Sequence, residues 1–300
     1  MDAPSSTFFT SAPHWQWLIV LYFFFGGLAA GSYFLAAMID VFGGRDDRPL
    51  ARLGYYIAFP LVSLCGVLLI VDLSRPLRFW HMLIERNTFE PMFKYWSPMS
   101  IGSWALLIFG FFSFIAFLGA LAEADRIRWL SVRGVRPPGA VGSILAIIGG
   151  FFGLYVAGYT GVLLAVTNRP IWSDTPLLGM LFVVSAASIS AALMMLWADR
   201  SRWRIPSLLA LHRMDAGVIV LELIVLIAFL VFLGPVFRAW VSLWGLLLLV
   251  GVVILGMLVP LALYWRRSWL GELNLATAAA LVLLGGFLLR LVIVFSSEAI

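Results

Sequence analysis

In this chain of 300 residues, a few side chains have the types and settings to move protons or to hold a small polar ligand. Asp72 is followed by Ser74, Arg75 and Pro76, and His81 comes just after the aromatic pair Phe79-Trp80. A carboxylate, a guanidinium and an imidazole this close in sequence can exchange protons, with the carboxylate tuned by the balance between burial and its arginine neighbour. Glu222 lies inside an apolar segment, and Asp215 lies at that segment's mouth. Ionisable residues in such a setting are functional candidates, here for proton transfer. Tyr159 sits in Ala157-Gly158-Tyr159-Thr160-Gly161, a phenol among small residues. A buried phenol finds a hydrogen-bond partner, which here is either a helix carbonyl or a ligand such as a quinone carbonyl. Plainer roles compete. Asp40, Asp215 and Arg290 fit interfacial snorkelling or structural ion pairs, and a loop histidine such as His81 can simply be solvated.

The elements that position these residues are eight long apolar stretches, read as spans 15–42, 53–73, 98–122, 140–166, 176–198, 214–234, 241–265 and 271–295. Each has about the ~20 residues that a helix needs to cross a ~30 Å hydrocarbon core. Only helices satisfy their backbone within one segment of this length, so the expected class is an all-α integral membrane protein. The composition agrees: 63% of residues are hydrophobic and 12% charged, against roughly 25% charged in a soluble domain. No connection is long enough for a soluble catalytic domain. The net charge of +5 resides in short loops, which points to membrane topology and excludes nucleic acid as the partner. Gly27 and Gly31 fit close helix packing of the small-xxx-small kind.

The loops after spans one, three, five and seven hold 13 Lys and Arg residues, against 7 on the other side. The positive-inside rule puts the 13 in the cytoplasm and both termini outside. No basic residue precedes Arg45, so no cleaved signal peptide is expected. Cys65 is the single cysteine, so the chain alone builds no iron–sulfur cluster or thiolate metal site. His14, His81 and His212 lie at or outside the span ends, which argues against a haem held by histidines within helices.

Several blocks also carry a resemblance: W-x-W followed by GGLAAGSYFLAA, then DLSRPLRFWHML, SPMSIGSWALL, GYTGVLLAVTNRPIWSDTPLLGMLF and GGFLLRLVIVFS. On these, nearly the whole chain resembles the NrfD/PsrC family, the quinone-reactive membrane subunits of polysulfide reductase, formate-dependent nitrite reductase and related respiratory complexes. The resemblance implies a single membrane domain of eight helices in two four-helix bundles, 15–166 with a quinone pocket and 176–295 without. It also implies a prokaryotic inner membrane with both termini outside. Tyr159 matches the pocket tyrosine of polysulfide reductase, and His81 matches a histidine after that protein's second helix. The histidine and asparagine of its first helix are replaced here by Tyr22 and Ile19. Tyr22 can still donate a hydrogen bond but is no imidazole relay. Arg75 and Asn168 fall in the two most specific blocks and join Tyr159 and Tyr22 as expected ligand-holding residues.

The resulting expectation is a membrane anchor and quinone- or quinol-reactive subunit, binding menaquinone or ubiquinone. Its Asp72 and His81 exchange protons. Electrons are exchanged with an iron–sulfur subunit on the outer face, over the 74–97 and 167–175 connections, and the resemblance implies a molybdopterin enzyme as a further partner. The alternatives are a proton-translocating subunit as in alternative complex III, with Glu222 and Asp215 on a cytoplasmic half-channel, and a structural anchor or transporter.

Overall fold

Lipid offers a backbone no hydrogen bonds, so an apolar stretch must close its own as a helix. The computed structural model describes residues 15–126, 136–137, 139–167, 169–200, 206–234, 236, 240–265 and 274–297. It has eight helices long and apolar enough to cross a membrane. These are α1 (Trp17–Phe42), α2 (Arg48–Asp72), α3 (Pro98–Glu123), α4 (Ala140–Ala165), α5 (Leu178–Arg200), α6 (Pro206–Phe232), α7 (Leu243–Trp265) and α8 (Asn274–Ser296). Among the described residues the one β pairing is an isolated bridge between Ile84 and Pro91. The all-α membrane class expected from hydropathy is the class observed.

Two helices begin before their apolar stretches do. α2 starts at Arg48 rather than at 53, and α6 at Pro206 rather than at 214. Both early turns are anchored by polar contacts that hydropathy does not register. Asp47, in the short 3-10 turn Arg45–Asp47, accepts the Ser207 N–H at 2.9 Å and so ties the start of α6 to the start of α2. Arg48 reaches Glu123 at the end of α3 (2.8 Å) and the Pro137 carbonyl (2.8 Å). His212, expected beside a span, is consequently within α6, its ring 4.4 Å from that of Tyr264. Inside α7, Leu248–Leu258 is π-helical, an uncommon geometry for which the uniformly apolar sequence gives no sign.

α1 and α5 are the most buried helices. α1 packs on α2, α4, α5 and α8, and α5 packs on α1, α4, α6 and α8. α3 rests on α2 and α4, and α7 chiefly on α8. The α1–α5 crossing is close because Gly31 has no side chain; a Cβ there would strike the Ala186 carbonyl and the Ser190 hydroxyl. This is the small-residue packing that membrane helices use in place of a hydrophobic driving force.

The ends of α1 and α3 and the start of α2 are clamped by one ion network. Arg136 donates to Asp40 at 2.6 Å and also pairs with Glu123, which in turn holds Arg48. The Asp40 side chain is fully buried and that of Arg136 nearly so. Beside it opens a narrow crevice between Tyr33, Tyr55 and Arg136, with room for little more than a water molecule.

Removing one member of a buried ion pair strands the other. Arg136→Met is expected to lower stability by about 3–5 kcal/mol, because it leaves the Asp40 carboxylate buried without its cation. The measurement is the thermal midpoint of the purified chain in detergent. Arg52→Met, which breaks no hydrogen bond or ion pair among the described residues, should stay within about 0.5 kcal/mol of the parent.

Candidate functional site

Four helices bring one residue each to a common level. Tyr22 lies five residues from the start of α1, Cys65 seven from the end of α2, Gly102 four from the start of α3 and Tyr159 six from the end of α4. At 1.5 Å per residue this is about 6–10 Å below the face that carries the 73–97 connection. Tyr22 and Tyr159 are close enough to interact electrostatically, with Cys65 beside them. The Cys65 thiol faces the Tyr22 carbonyl at 3.8 Å. Tyr159 lies directly across Gly102, where any side chain would overlap its ring. Gly102, not the flanking glycines of α4, therefore makes room for this phenol. Gly158 and Gly161 instead let α4 approach Val183 and Leu178 of α5.

The hydroxyls at this level differ from those of Tyr33, Tyr56 and Tyr264. Tyr33 donates to the Leu145 carbonyl, Tyr56 to the Ala120 carbonyl and Tyr264 to Asp215. Tyr22 and Tyr159 are buried, yet neither hydroxyl bonds to any described residue. Neither oxygen is among the buried polar atoms that lack a partner, so each is left to water or to an acceptor beyond the described residues.

The rim above carries the other expected residues, without bringing them together. Asp72 ends α2 and is exposed, as is Arg75. His81 belongs to the 3-10 helix Pro76–Met82, its ring 3.9 Å from that of Trp80, and its Nε2 is shielded from water without a partner. Among the described residues no hydrogen bond or ion pair joins Asp72, Arg75 and His81. Asn168 lies outside the described residues. The rest of the connection turns back on itself through the Ile84–Pro91 bridge, with Phe89 in the left-handed region (φ 56°). It is fastened to α3 by Trp104, which donates to the Met92 carbonyl at 2.9 Å, and by Ser100, which accepts the Lys94 N–H at 3.0 Å. Leu77, Phe89, Tyr95 and Trp96 are exposed on it.

Glu222 and Asp215 stand apart from this site, on α6. Asp215 is fully buried and accepts hydrogen bonds from Ser188 of α5 and Tyr264 of α7, both at 2.8 Å. Glu222, two turns further along, faces Ser185 and Arg290. Arg290 is not the snorkelling residue its place in the sequence allows. It is buried, and donates to the Phe23 carbonyl of α1 (3.1 Å), the Ser185 hydroxyl (3.1 Å) and the Gly286 carbonyl (2.7 Å). Tyr264, Asp215, Ser188, Ser185, Glu222 and Arg290 thus form a succession of polar groups from the arginine-rich end of α6 into the core. Sequence reasoning does not single out Tyr264, the serines or Arg290's partners. Only their distant partners give them meaning, and a serine in an apolar run carries no signal of its own.

Comparison with known proteins bears on this geometry. The family model described as polysulphide reductase, NrfD, matches residues 6–300. Protein NrfD of Escherichia coli is 28% identical over 96% of this chain and 98% of its own length. One of the chains of the polysulfide reductase of Wolinella succinogenes is 30% identical over 75% of the present sequence and 71% of its own. One of the subunits of the selenate reductase of Mesobacillus selenatarsenatis is 34% identical over 32% of the present sequence and 20% of its own.

The role of Gly102 can be checked without any ligand. Gly102→Ala places a carbon inside the Tyr159 ring and should destabilise the chain by about 1–3 kcal/mol, as overpacking does. Gly66→Ala, where an added carbon meets nothing, should be neutral. Thermal unfolding of the two variants side by side, with near-ultraviolet circular dichroism to follow the tyrosines, makes the comparison.

Proposed function

The chain belongs to the polysulphide reductase NrfD family, and from that premise we propose that it is the membrane anchor and quinone- or quinol-reactive subunit of a respiratory oxidoreductase. The carrying observation is the pair of buried tyrosines, Tyr22 and Tyr159, near one face, whose hydroxyls bond to none of the described residues. A quinone bound there would supply a two-electron, two-proton couple. Tyr159 and Tyr22 donate hydrogen bonds to its carbonyl oxygens, and Asn168 and Arg75 border the site in sequence. Asp72 and His81 on the rim exchange protons with the adjacent water. The crevice beside Arg136 is too small to compete for the ring.

Electrons must leave through another polypeptide, because a single cysteine ligates no iron–sulfur cluster. Two of the relatives are named as parts of a polysulfide reductase and of a selenate reductase, and so belong, by those names, to larger assemblies. The rim face fits a covered surface. Buried polar atoms without partners recur there: His81 Nε2, Arg169 Nε, Trp240 Nε1 and the hydroxyls of Ser296 and Ser297. The exposed aromatics of the 73–97 connection lie on the same face. We place this face outside the cytoplasm, with both termini, from the distribution of Lys and Arg, in a prokaryotic inner membrane. An iron–sulfur subunit docks on it and leads to a molybdopterin enzyme.

A second reading draws on the polar succession on α6. Asp215 and Glu222, linked through Ser188 and Ser185 to Arg290, would take protons from the arginine-rich side, so that the chain translocates them. The two readings separate by mutation. Asp72→Asn should impair quinol turnover in the assembled complex more than Glu222→Gln does. The reverse order, with assembly intact, would favour translocation, and wild-type turnover in both would leave a structural anchor.

Tyr159→Phe removes one hydroxyl and keeps the ring against Gly102. It should cost quinone binding about 0.5–1.5 kcal/mol, the worth of a neutral hydrogen bond, or roughly 2- to 13-fold in affinity. Quinone titration of the complex measures it, and an unchanged affinity would remove Tyr159 from the site.

A further inference from the structure

The connection between α4 and α5 holds a cation that no carboxylate among the described residues neutralises. Arg169 is only 8% exposed. Its Nε is closed to water and makes no hydrogen bond. Among the described residues none offers the guanidinium a hydrogen bond or a carboxylate. Its one side-chain neighbour of note is the Trp172 ring, 5.6 Å away. The other buried arginines are unlike it: Arg136 is paired with Asp40 and Glu123, and Arg290 donates to three oxygens. A buried charge without a partner costs several kcal/mol, and with Nε closed off the terminal nitrogens of this guanidinium are left to water or to a partner beyond the described residues.

The surrounding loop is built to hold Arg169 still. Its carbonyl accepts from both the N–H and the hydroxyl of Ser173, at 3.0 and 2.8 Å. Ile171 is held at φ 72°, which for a β-branched residue costs about 1–3 kcal/mol. Its N–H is fixed by the Asp174 carboxylate at 2.7 Å. Trp172 is fully buried, donates to the Ile293 carbonyl of α8 at 2.7 Å and lies 5.2 Å from Trp15, just before α1. Arg169 therefore sits over α1 and α8, with α1 one of the two most enclosed helices, and not over the lipid-facing periphery.

A guanidinium presents a rigid fork of donors that matches a carboxylate or phosphate. We propose that Arg169 is the socket for a carboxylate of the subunit that docks on this face, either an aspartate or glutamate side chain or a chain terminus. This rests on the docking reading given above. A position over the packed centre favours a protein carboxylate over a lipid phosphate as the source.

The test uses the complex isolated through a tag on this chain. The soluble iron–sulfur subunit is stripped by salt, and its rebinding to the membrane subunit is measured. Arg169→Gln should weaken rebinding by about 30-fold or more, the low end for losing one member of a buried charge pair, while quinone affinity in the stripped chain stays unchanged. Arg169→Lys keeps the charge without the fork and should fall between; it also serves where the glutamine variant folds poorly. Rebinding at wild-type strength in both variants would overturn the socket and leave the docking reading standing. Loss of one tightly held phospholipid from Arg169→Gln in native mass spectrometry, with rebinding unchanged, would also overturn it, assigning Arg169 to a lipid. If no iron–sulfur subunit accompanies even the wild-type chain, the docking reading fails and the socket with it.

Discussion

Arg290 fixes the middle of this molecule. Its guanidinium donates to α1 at the Phe23 carbonyl, to α5 at Ser185 and to its own helix at Gly286, and it faces Glu222 of α6. Gly27 of α1 is also beside it: a Cβ there would come within 2.9 Å of Nη2. A buried cation is costly unless it is hydrogen-bonded, so these contacts hold four helices at one level and in one rotation. That requirement orients α1, and with it Tyr22, which precedes the carbonyl that Arg290 holds.

Polar groups in the membrane domain divide accordingly into those that are satisfied and those that are not. The ion network of Arg136, Asp40, Glu123 and Arg48 is complete in itself and clamps one end of the helices. Asp215 has its serine and its tyrosine. The unsatisfied groups include Ser32 in the middle of α1 and, toward the opposite face, His81 Nε2, Arg169 Nε, Trp240 Nε1 and the hydroxyls of Ser296 and Ser297. Native proteins leave few buried polar atoms unpaired. Such a concentration on one face is what a surface looks like when its partners belong to other molecules.

Hydropathy made the eight helices legible, because a bilayer demands the same apolar length of each. It missed the first turns of α2 and α6, whose stability comes from Asp47 and Arg48 reaching residues far along the chain. It could not see the π-helical stretch of α7, since Leu, Val and Ile suit either geometry. At the candidate site the sequence pointed to Tyr159 by its small neighbours. Those neighbours serve the contact with α5, and the glycine that accommodates the ring is Gly102, on another helix. Arg290 stood out as an ionisable residue in a span, but its partners come from three other helices. The lack of a partner at Arg169 is likewise a statement about space, invisible along the chain.

On the proposed function, the depth of the phenol pair has its own logic. A membrane subunit that holds its own redox centres can receive electrons deep in the bilayer and pass them outward. With one cysteine, this chain alone ligates no iron–sulfur cluster. The site that exchanges electrons must then lie close to the face where a partner brings its first centre. Tyr22 and Tyr159 are one to two helical turns below that face, and the 73–97 connection is pinned to α3 by Trp104, within half a turn of Gly102. The same short distance leaves little protein between the site and water, so protons can be exchanged on the docking face by Asp72 and His81. Glu222, which faces Ser185 and Arg290, would on this reading be needed for quinone chemistry only if protons came from the other side of the membrane.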